Sequence, residues 1–188
     1  MLYTGKGDNG TTQFFGCNQR FSKSSVIAEA LGSLDELNSF LGVCKTLAAR
    51  DSLVIKADGE NRGLAFQQVL AEAQQDLFVI QAETAGADKQ ITGERTVWLE
   101  SVIATIEKTL PPIKNFVVPG GSEASGLIDF ARTISRRTER RMVAVKEEGI
   151  AKISESILKY LNRLSSLLYA LARLANVQAG VTEEKPHY

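Results

Sequence analysis

Hydrophobic residues recur with helical spacing along almost the whole chain, and the alternation typical of β-strands is nearly absent. Five stretches carry an apolar residue every three or four positions. They run from Ile27 to Cys44, from Phe66 to Ile80, from Leu99 to Leu110, from Leu127 to Val145 and from Ile157 to Ala175. Pro111 and Pro112 stop the third stretch, because proline cannot continue a helical hydrogen-bond ladder. The pattern predicts an all-α fold, a single five-helix bundle.

The length of the chain and its polar segments indicate how the domain is organised. With 188 residues and 44% hydrophobic content, the chain can bury one core but is short for two. We predict one domain over residues 1–188. It comprises a glycine-rich loop at 1–23, the helix bundle at 24–177 and a flexible, frayed polar tail at 178–188.

The charge balance and the cysteines narrow the class of protein. Lysine plus arginine and aspartate plus glutamate both number 22, so the formal net charge is zero. Binding of nucleic acid or anionic membrane generally needs a basic excess, and we expect neither partner. No apolar run is long enough to span a bilayer and no secretory leader precedes Thr4, so we expect a cytoplasmic protein. Cys17 and Cys44 lack metal or redox spacing, and Cys44 is expected to be a small core residue.

One predicted helix concentrates positive charge beside a glycine turn. Segment 116–141 joins an apolar strip, a Pro-Gly-Gly turn and a helix with arginines at 132, 136, 137, 140 and 141. Arg132, Arg136 and Arg140 recur every fourth residue and form one line on this helix. Because a guanidinium binds phosphate through two parallel hydrogen bonds, the line is a candidate polyphosphate site. A solvated basic face relieved by nearby glutamates is an equally open interpretation.

The segment Thr4–Thr12 is the second candidate anion site. It contains three glycines, three threonines, Lys6 and Asp8 within nine positions. Glycines let backbone N–H groups turn toward an anion, threonine hydroxyls add donors, and a carboxylate such as Asp8 can hold Mg²⁺. The GK[ST] ending of a Walker A loop is missing. A flexible leader of turn residues is therefore the alternative.

Two polar pairs interrupt the apolar stripes of other helices. Asp35 and Asn38 lie one turn apart among leucines, which suggests a polar contact at an interface. Asn162 and Ser166 share a face, and asparagine is a poor residue for a helix interior. An ordinary amphipathic boundary is the alternative for both pairs.

Together these segments have the order and spacing of a known family. From Thr4 to about Arg173 the chain resembles the trimeric, five-helix-bundle ATP:cob(I)alamin adenosyltransferases. The matching pieces are TGKGDNGTT, LGSLDELNS, DLFVIQAE, the run from WLE through LPPIKNFVVPGGS, ARTISRRTERR and YLNRLSSLLYALAR. The resemblance implies a homotrimer of ferritin-like, left-handed up-down bundles. It also implies transfer of the 5′-deoxyadenosyl group from ATP to reduced cobalt, with release of triphosphate.

That reaction needs no catalytic serine, cysteine or histidine, because cob(I)alamin is itself a very strong nucleophile. The corrinoid performs the difficult step, and the protein supplies alignment and charge. The only histidine, His187, lies in the tail and is expected to be non-functional. The departing triphosphate needs backbone N–H groups, cations and Mg²⁺ around it.

The resemblance also implies individual site residues. Arg140 contacts ATP and stabilises departing charge, while Arg136 pairs with Asp35 across a subunit boundary. Phe116 helps to exclude the lower axial ligand of cobalt, which makes the metal four-coordinate and easier to reduce. These four form the expected catalytic set, and Asp8 is the candidate Mg²⁺ ligand. Further corrinoid contacts fall on Ser166 and Tyr169. The expected ATP-binding set is Thr4, Gly5, Lys6, Gly7, Asp8, Gly10, Thr11, Thr12, Lys23, Arg132, Arg137, Glu139, Arg140 and Asn162.

Several positions depart from the family pattern. Gly5 and Lys6 stand where an Arg-Thr pair is common. Asp129, Ser166 and Tyr169 stand where histidine, aspartate and phenylalanine are frequent. The changes affect the corrinoid side more than the ATP side. One alternative function is thus a nucleotide- or corrinoid-binding module that senses or delivers its ligand without catalysis, and a helical interaction protein is another. For the enzyme, the expected protein partners are a corrinoid reductase or an adenosylcobalamin-dependent enzyme.

Overall fold

The computed structural model describes residues 2–14, 19–56 and 63–187, and these residues form five long helices. The helices are α1 (Val26–Arg50), α2 (Phe66–Thr84), α3 (Gly93–Glu107), α4 (Glu123–Glu147) and α5 (Glu155–Gln178). The predicted five-helix fold is therefore confirmed. The third helix ends at Glu107 rather than Leu110, because the residues before the two prolines form a turn in which the Thr109 N–H bonds to the Ile106 carbonyl.

Two short antiparallel hairpins add β structure that periodicity did not predict. Strand β1 (Thr11–Gln13) pairs with β2 (Arg20–Ser22), and β3 (Val54–Ile55) pairs with β4 (Leu64–Ala65). Strands of two or three residues are too short to produce a recognisable alternation. Cys17, between β1 and β2 in the chain, lies outside the described residues.

Helices α4 and α5 form the centre of the bundle. Helix α1 packs against α4 and α2, while α3 packs against α5. Helices α1 and α4 are antiparallel, since Arg50 at the end of α1 contacts Glu123 at the start of α4 with 2.8 Å between Nη2 and Oε2. Fully buried leucines fill the core, and burying each contributes about 1.5–3 kcal/mol. The predicted apolar stripes are therefore the packed faces.

Serine residues fix the beginnings of three helices. Ser25, Ser122 and Ser154 precede α1, α4 and α5, and each hydroxyl accepts a hydrogen bond from a backbone N–H three residues later. Such a cap contributes about 1 kcal/mol by satisfying a donor that has no partner within the helix. The sequence therefore determines where the arginine-rich helix α4 starts.

The turn before α4 is held by a buried asparagine of α5. The Asn176 side chain donates to the Gly120 carbonyl and accepts from the Ser122 N–H, both at 2.9 Å. Gly121 has a φ of 107°, and a Cβ there would lie 2.5 Å from the Asn176 Oδ1 atom. Only glycine fits this turn, which anchors the loop leading from α3 to the start of α4.

The carboxyl-terminal segment differs from the frayed tail that the sequence predicted. The Glu183 carboxylate pairs with Arg173 of α5, and the Glu184 carbonyl accepts a 2.9 Å hydrogen bond from the Val118 N–H. A polar composition concealed these contacts, because each depends on a partner that is distant in sequence. Among the described residues, no helix is both long and apolar enough to cross a membrane.

Candidate active site

A cleft of about 1020 Å³ opens between α3, α4, α5 and the loop that follows α3. Its wall includes the three residues predicted to contact a corrinoid, Phe116, Ser166 and Tyr169. Two arginines of α4, Arg132 and Arg136, line the same cleft. The remaining lining residues are Ile103, Glu107, Leu110, Ile113, Lys114, Asn115, Val117, Ser165, Ala170, Arg173, Lys185 and Pro186. The structure thus brings the predicted corrinoid residues to one site.

The exposed side chain of Phe116 is the most unusual apolar feature of this cleft. It is 80% exposed, and Ile113 in the same loop is 58% exposed. Neighbouring exposed apolar side chains of this kind are typical of a binding surface. A large ligand with an apolar face could cover both residues.

Arg132 is held against the cleft wall by Asp129. Its Nε and Nη2 atoms lie 2.6 and 3.2 Å from the two Asp129 carboxylate oxygens. The hydrogen bond to Asp129 raises the pKa of Arg132. The guanidinium carbon also lies 6.0 Å from the centre of the Tyr169 ring, within the range of a cation–π interaction. Arg132 therefore lies in the cleft beside Tyr169, and its assignment to ATP stays a prediction.

The other arginines of α4 divide into two groups. Arg137 pairs with Glu36 of α1 at 2.5 Å, and Arg141 pairs with Glu29 of the same helix. Arg136 and Arg140, by contrast, are exposed and have no carboxylate partner among the residues that the structure describes. Two uncompensated guanidinium groups, one turn apart, are thus available to bind an anion. Both the anion site and the solvated basic face that the sequence left open agree with this division.

Asp35 is also exposed, and no ion pair joins it to another described residue. The chain by itself does not bring Asp35 to Arg136. The pairing of Asp35 with Arg136 between subunits stays a prediction. Further along the bundle, the Asn162 amide donates to Glu139 at 3.0 Å, so these two predicted ATP-binding residues are neighbours.

The glycine-rich segment forms two consecutive turns. The Asp8 N–H bonds to the Gly5 carbonyl and the Gly10 N–H bonds to the Gly7 carbonyl, at 3.2 and 3.1 Å. Gly5 and Gly10 have φ values of 68° and 77°, which favour glycine. The Lys23 ammonium lies close to Gly7, because a Cβ on that glycine would be 3.1 Å from the Lys23 Nζ atom. Hairpin pairing thus joins Lys23 to the loop.

Arg20 braces the same turns, and the sequence analysis missed it. Its Nε atom donates to the Thr11 hydroxyl at 2.8 Å, and its Nη2 atom donates to the Lys6 and Thr11 carbonyls at 2.5 and 3.1 Å. The signal would have been a second strand after the loop, because its pairing with β1 brings Arg20 opposite Gln13, two residues from Thr11 and on the same face of the hairpin. Periodicity cannot reveal a strand of three residues.

The predicted site residues do not all converge within one chain. The glycine-rich loop, Lys23, Arg137, Glu139, Arg140 and Asn162 do not line the cleft. No group of three or more potential metal ligands occurs among the described residues, and Asp8 is a single carboxylate. Arg173 and Glu183 form a buried pair beside the cleft that the sequence analysis did not identify.

Fold and cleft together define a helical-bundle protein with a site for a large, partly apolar ligand beside a cationic helix. A family model described as cobalamin adenosyltransferase matches residues 2–175, and the chain belongs to that family.

Known relatives agree with this assignment. The chain is 38% identical over 180 residues to a corrinoid adenosyltransferase of Bacillus subtilis strain 168, covering 96% of this chain and 89% of the relative. It is 38% identical to the corrinoid adenosyltransferase PduO of Citrobacter freundii over 92% of this chain, and it spans about half of that longer protein, 49%.

Solved structures of the PduO-type ATP:corrinoid adenosyltransferase of Lactobacillus reuteri have the same fold. One single-residue variant, in complex with cobalamin and ATP, is 30% identical with a TM-score of 0.85 over 99% of this chain and 96% of that one. Another variant, in complex with ATP, is 31% identical with a TM-score of 0.86 over 99% and 100% of the two chains.

Proposed function

We propose that this protein is an ATP:corrinoid adenosyltransferase. It transfers the 5′-deoxyadenosyl group of ATP to cob(I)alamin, forming adenosylcobalamin and triphosphate. The observation that carries the proposal is that one cleft holds Phe116, Tyr169 and the beginning of an arginine line in which Arg136 and Arg140 have no carboxylate partner among the described residues. The named activity of the relatives and the cobalamin and ATP bound to a structural neighbour support it.

The reaction proceeds by displacement at carbon. The electron pair of Co(I) forms the bond to C5′ of the ribose, and the bond from C5′ to the triphosphate oxygen breaks with its electron pair. No proton needs to move in this step. The protein contributes by holding two large substrates in line and by stabilising the charge on the departing group.

The corrinoid substrate occupies the cleft with the Phe116 ring toward the metal. Tyr169 and Ser166 lie on the α5 side, where they contact the ring edge and its amide groups. The Asp129–Arg132 pair adds polar atoms to the same wall. Because Phe116 is apolar, it excludes an axial ligand from its face of the cobalt. The exposure of the Phe116 ring in the cleft supports this part of the proposal.

The triphosphate occupies the cationic side of the site. Arg136 and Arg140 have no carboxylate partner in the described part of the chain, and the glycine-rich loop supplies backbone N–H groups together with Lys6 and Lys23. Glu139 precedes Arg140 on α4 and accepts a hydrogen bond from Asn162 of α5, and these two residues contact the nucleoside. A bound Mg²⁺ would rest on Asp8 and on phosphate oxygens, which fits the preference of this ion for one or two carboxylates plus phosphates. It would neutralise charge on the leaving group.

The active site lies between subunits of a homotrimer of ferritin-like, left-handed up-down bundles. Neither Asp35 nor Arg136 has an ion-pair partner among the described residues, which supports a pair that forms with a neighbouring copy. Helices α1 and α4, which carry Asp35 and Arg136, also expose Val43 (50%) and Phe130 (53%). These side chains would be covered when the two helices meet another subunit. A cytoplasmic location and a corrinoid reductase as partner fit the same function.

A spectroscopic experiment tests the proposal. Protein, Mg-ATP and chemically reduced cob(I)alamin are mixed without oxygen, and the visible spectrum is followed. The proposal predicts replacement of the cob(I)alamin spectrum by that of adenosylcobalamin, dependent on both protein and ATP. Binding of both ligands without that change would instead favour a sensor or delivery module.

A further inference from the structure

The loop between α3 and α4 carries Phe116 but rests on little of the bundle. Residues 113–117 line the 1020 Å³ cleft on one side and a second cavity of about 390 Å³ on the other. Phe116 is itself mostly exposed. A loop with empty space on both sides cannot be positioned by packing of its own side chains. Its position must depend on how its ends are held.

A buried arginine of α5 holds the beginning of this loop. Arg173 is 6% exposed, and its Nη2 atom donates to the Pro111 carbonyl at 3.2 Å. The same guanidinium binds both oxygens of Glu183, with Nε at 2.9 and 3.0 Å and Nη2 at 2.8 Å. Charge-assisted bonds of this two-pronged geometry are among the strongest in proteins and fix orientation. Arg173 therefore joins the loop to the carboxyl-terminal segment.

The carboxyl-terminal segment in turn holds the end of the loop. The Val118 N–H donates to the Glu184 carbonyl at 2.9 Å, one residue beyond the carboxylate that Arg173 binds. Lys185 and Pro186 continue from there into the cleft wall. The connection runs from Arg173 to both ends of the loop, directly at Pro111 and through the tail at Val118. Phe116 lies between these two attachments.

We propose that the Arg173–Glu183 pair is a positioning latch, which holds the carboxyl-terminal segment on the bundle and thereby sets Phe116 against the corrinoid. Arg173 lines the 1020 Å³ cleft whereas Glu183 does not, and the pair acts on Phe116 through the loop. The effect of the latch on the reaction rests on the proposed function, whereas the existence of the latch does not. Loss of the latch releases the end of the loop at Val118 while leaving the arginine helix and the glycine-rich loop in place.

The test compares Glu183→Ala with the matched control Glu184→Ala. Both variants remove one negative charge from adjacent positions, but the Glu184 side chain makes no hydrogen bond or ion pair with any residue in the described part of the chain. A third variant, Glu183→Gln, keeps an oxygen that can accept from Arg173. Glu183→Gln should therefore keep part of the attachment to Arg173 that Glu183→Ala loses.

The first measurement is hydrogen exchange in the ligand-free protein. In Glu183→Ala, the peptide containing Val118 should exchange at least about tenfold faster than in the wild type, because a local opening then releases its amide. In Glu184→Ala the exchange rate of this peptide should stay within about twofold of the wild-type rate. In Glu183→Gln it should lie between the rates of the wild type and Glu183→Ala. Unchanged exchange at Val118 would overturn the latch. Faster exchange throughout the core helices would also overturn it, since the pair would then serve general stability.

The second measurement uses the full protein with ATP and cob(II)alamin. Glu183→Ala should lower the four-coordinate fraction of the bound corrinoid, read from its electron paramagnetic resonance spectrum. It should lower kcat by at least about fivefold while the KM for ATP changes less than about twofold. If hydrogen exchange shows a mobile loop in Glu183→Ala but its four-coordinate fraction and kcat equal those of the wild type, the positioning role is overturned. A wild-type protein that makes no adenosylcobalamin would refute the proposed function and that role together, whereas hydrogen exchange would still decide whether the latch exists.

Discussion

Replacing Arg140 by alanine should separate catalysis from folding. The Arg140 guanidinium is exposed, and the one hydrogen bond found for it joins its Nη1 atom to the Arg136 carbonyl at 3.3 Å among the described residues. A surface contact of this kind contributes about 0–1 kcal/mol. In a protein of this size each kcal/mol moves the Tm by about 2–4 °C, so the Tm of Arg140→Ala should fall by no more than about 4 °C.

The expected loss of activity is much larger. If Arg140 stabilises the departing triphosphate, alanine removes a charged donor from the place where charge develops. Removal of such a donor costs about 2.7–4 kcal/mol, which corresponds to about 10²–10³ in kcat. A surface contribution of at most about 1 kcal/mol would change the rate by less than about tenfold. The size of the loss of kcat in Arg140→Ala therefore distinguishes stabilisation of the triphosphate from an ordinary surface contact.

The adjacent arginine provides the control. Arg141 pairs with Glu29, and its Nη1 atom donates to the Ser33 hydroxyl at 2.7 Å, so it joins α4 to α1. Arg141→Ala should lose about 1–3 kcal/mol of stability and keep kcat within about twofold of the wild type. Turnover is followed by the loss of cob(I)alamin absorbance under anaerobic conditions, and stability by calorimetry. A near-normal kcat in Arg140→Ala, or an equal loss in both variants, would refute the assignment of Arg140.

Three further substitutions probe other parts of the account. Asp35→Ala should reduce both the trimer fraction in sedimentation and the specific activity, because it removes the expected partner of Arg136; an unchanged sedimentation profile would contradict this. Tyr160→Phe should lower the free energy of unfolding by about 1–3 kcal/mol, since the buried hydroxyl donates to Asp76 at 2.8 Å; a loss well below this range would count against that bond. Burial raises the pKa of the Cys44 thiol from 9.0 to about 12. The unfolded chain therefore ionises first, and the stability of the wild type relative to Cys44→Ala should decline as the pH rises from about 9 toward about 12; a difference independent of pH would contradict the burial.

Helical periodicity predicted the fold well because each helix buries a continuous apolar face. The stripe from Ile27 to Cys44 became α1, and the stripe from Ile157 to Ala175 became the central helix α5. Such faces are properties of local sequence, and the packing only had to bring them together. The short hairpins escaped notice since their pairing depends on partners across a turn.

The candidate site was predictable where residue type limits the chemistry. Exposed arginines at four-residue spacing and a glycine-rich loop indicated anion binding without any coordinates. The sequence could not show which arginines are neutralised, because Glu36 and Glu29 of α1 compensate Arg137 and Arg141 of α4 through contacts that arise only on folding. Arg173 was missed for the same reason, since its importance comes from Pro111 and Glu183 rather than from its own surroundings in sequence.

The central claim is that one triphosphate leaves for each corrinoid that is adenosylated. It is tested most directly by quantifying both products after an anaerobic reaction of the protein with Mg-ATP and a limiting amount of cob(I)alamin. The account predicts equal amounts of adenosylcobalamin and triphosphate, with both lost in Arg140→Ala. Diphosphate or phosphate in place of triphosphate, or consumption of ATP without a cobalt–carbon bond, would contradict it.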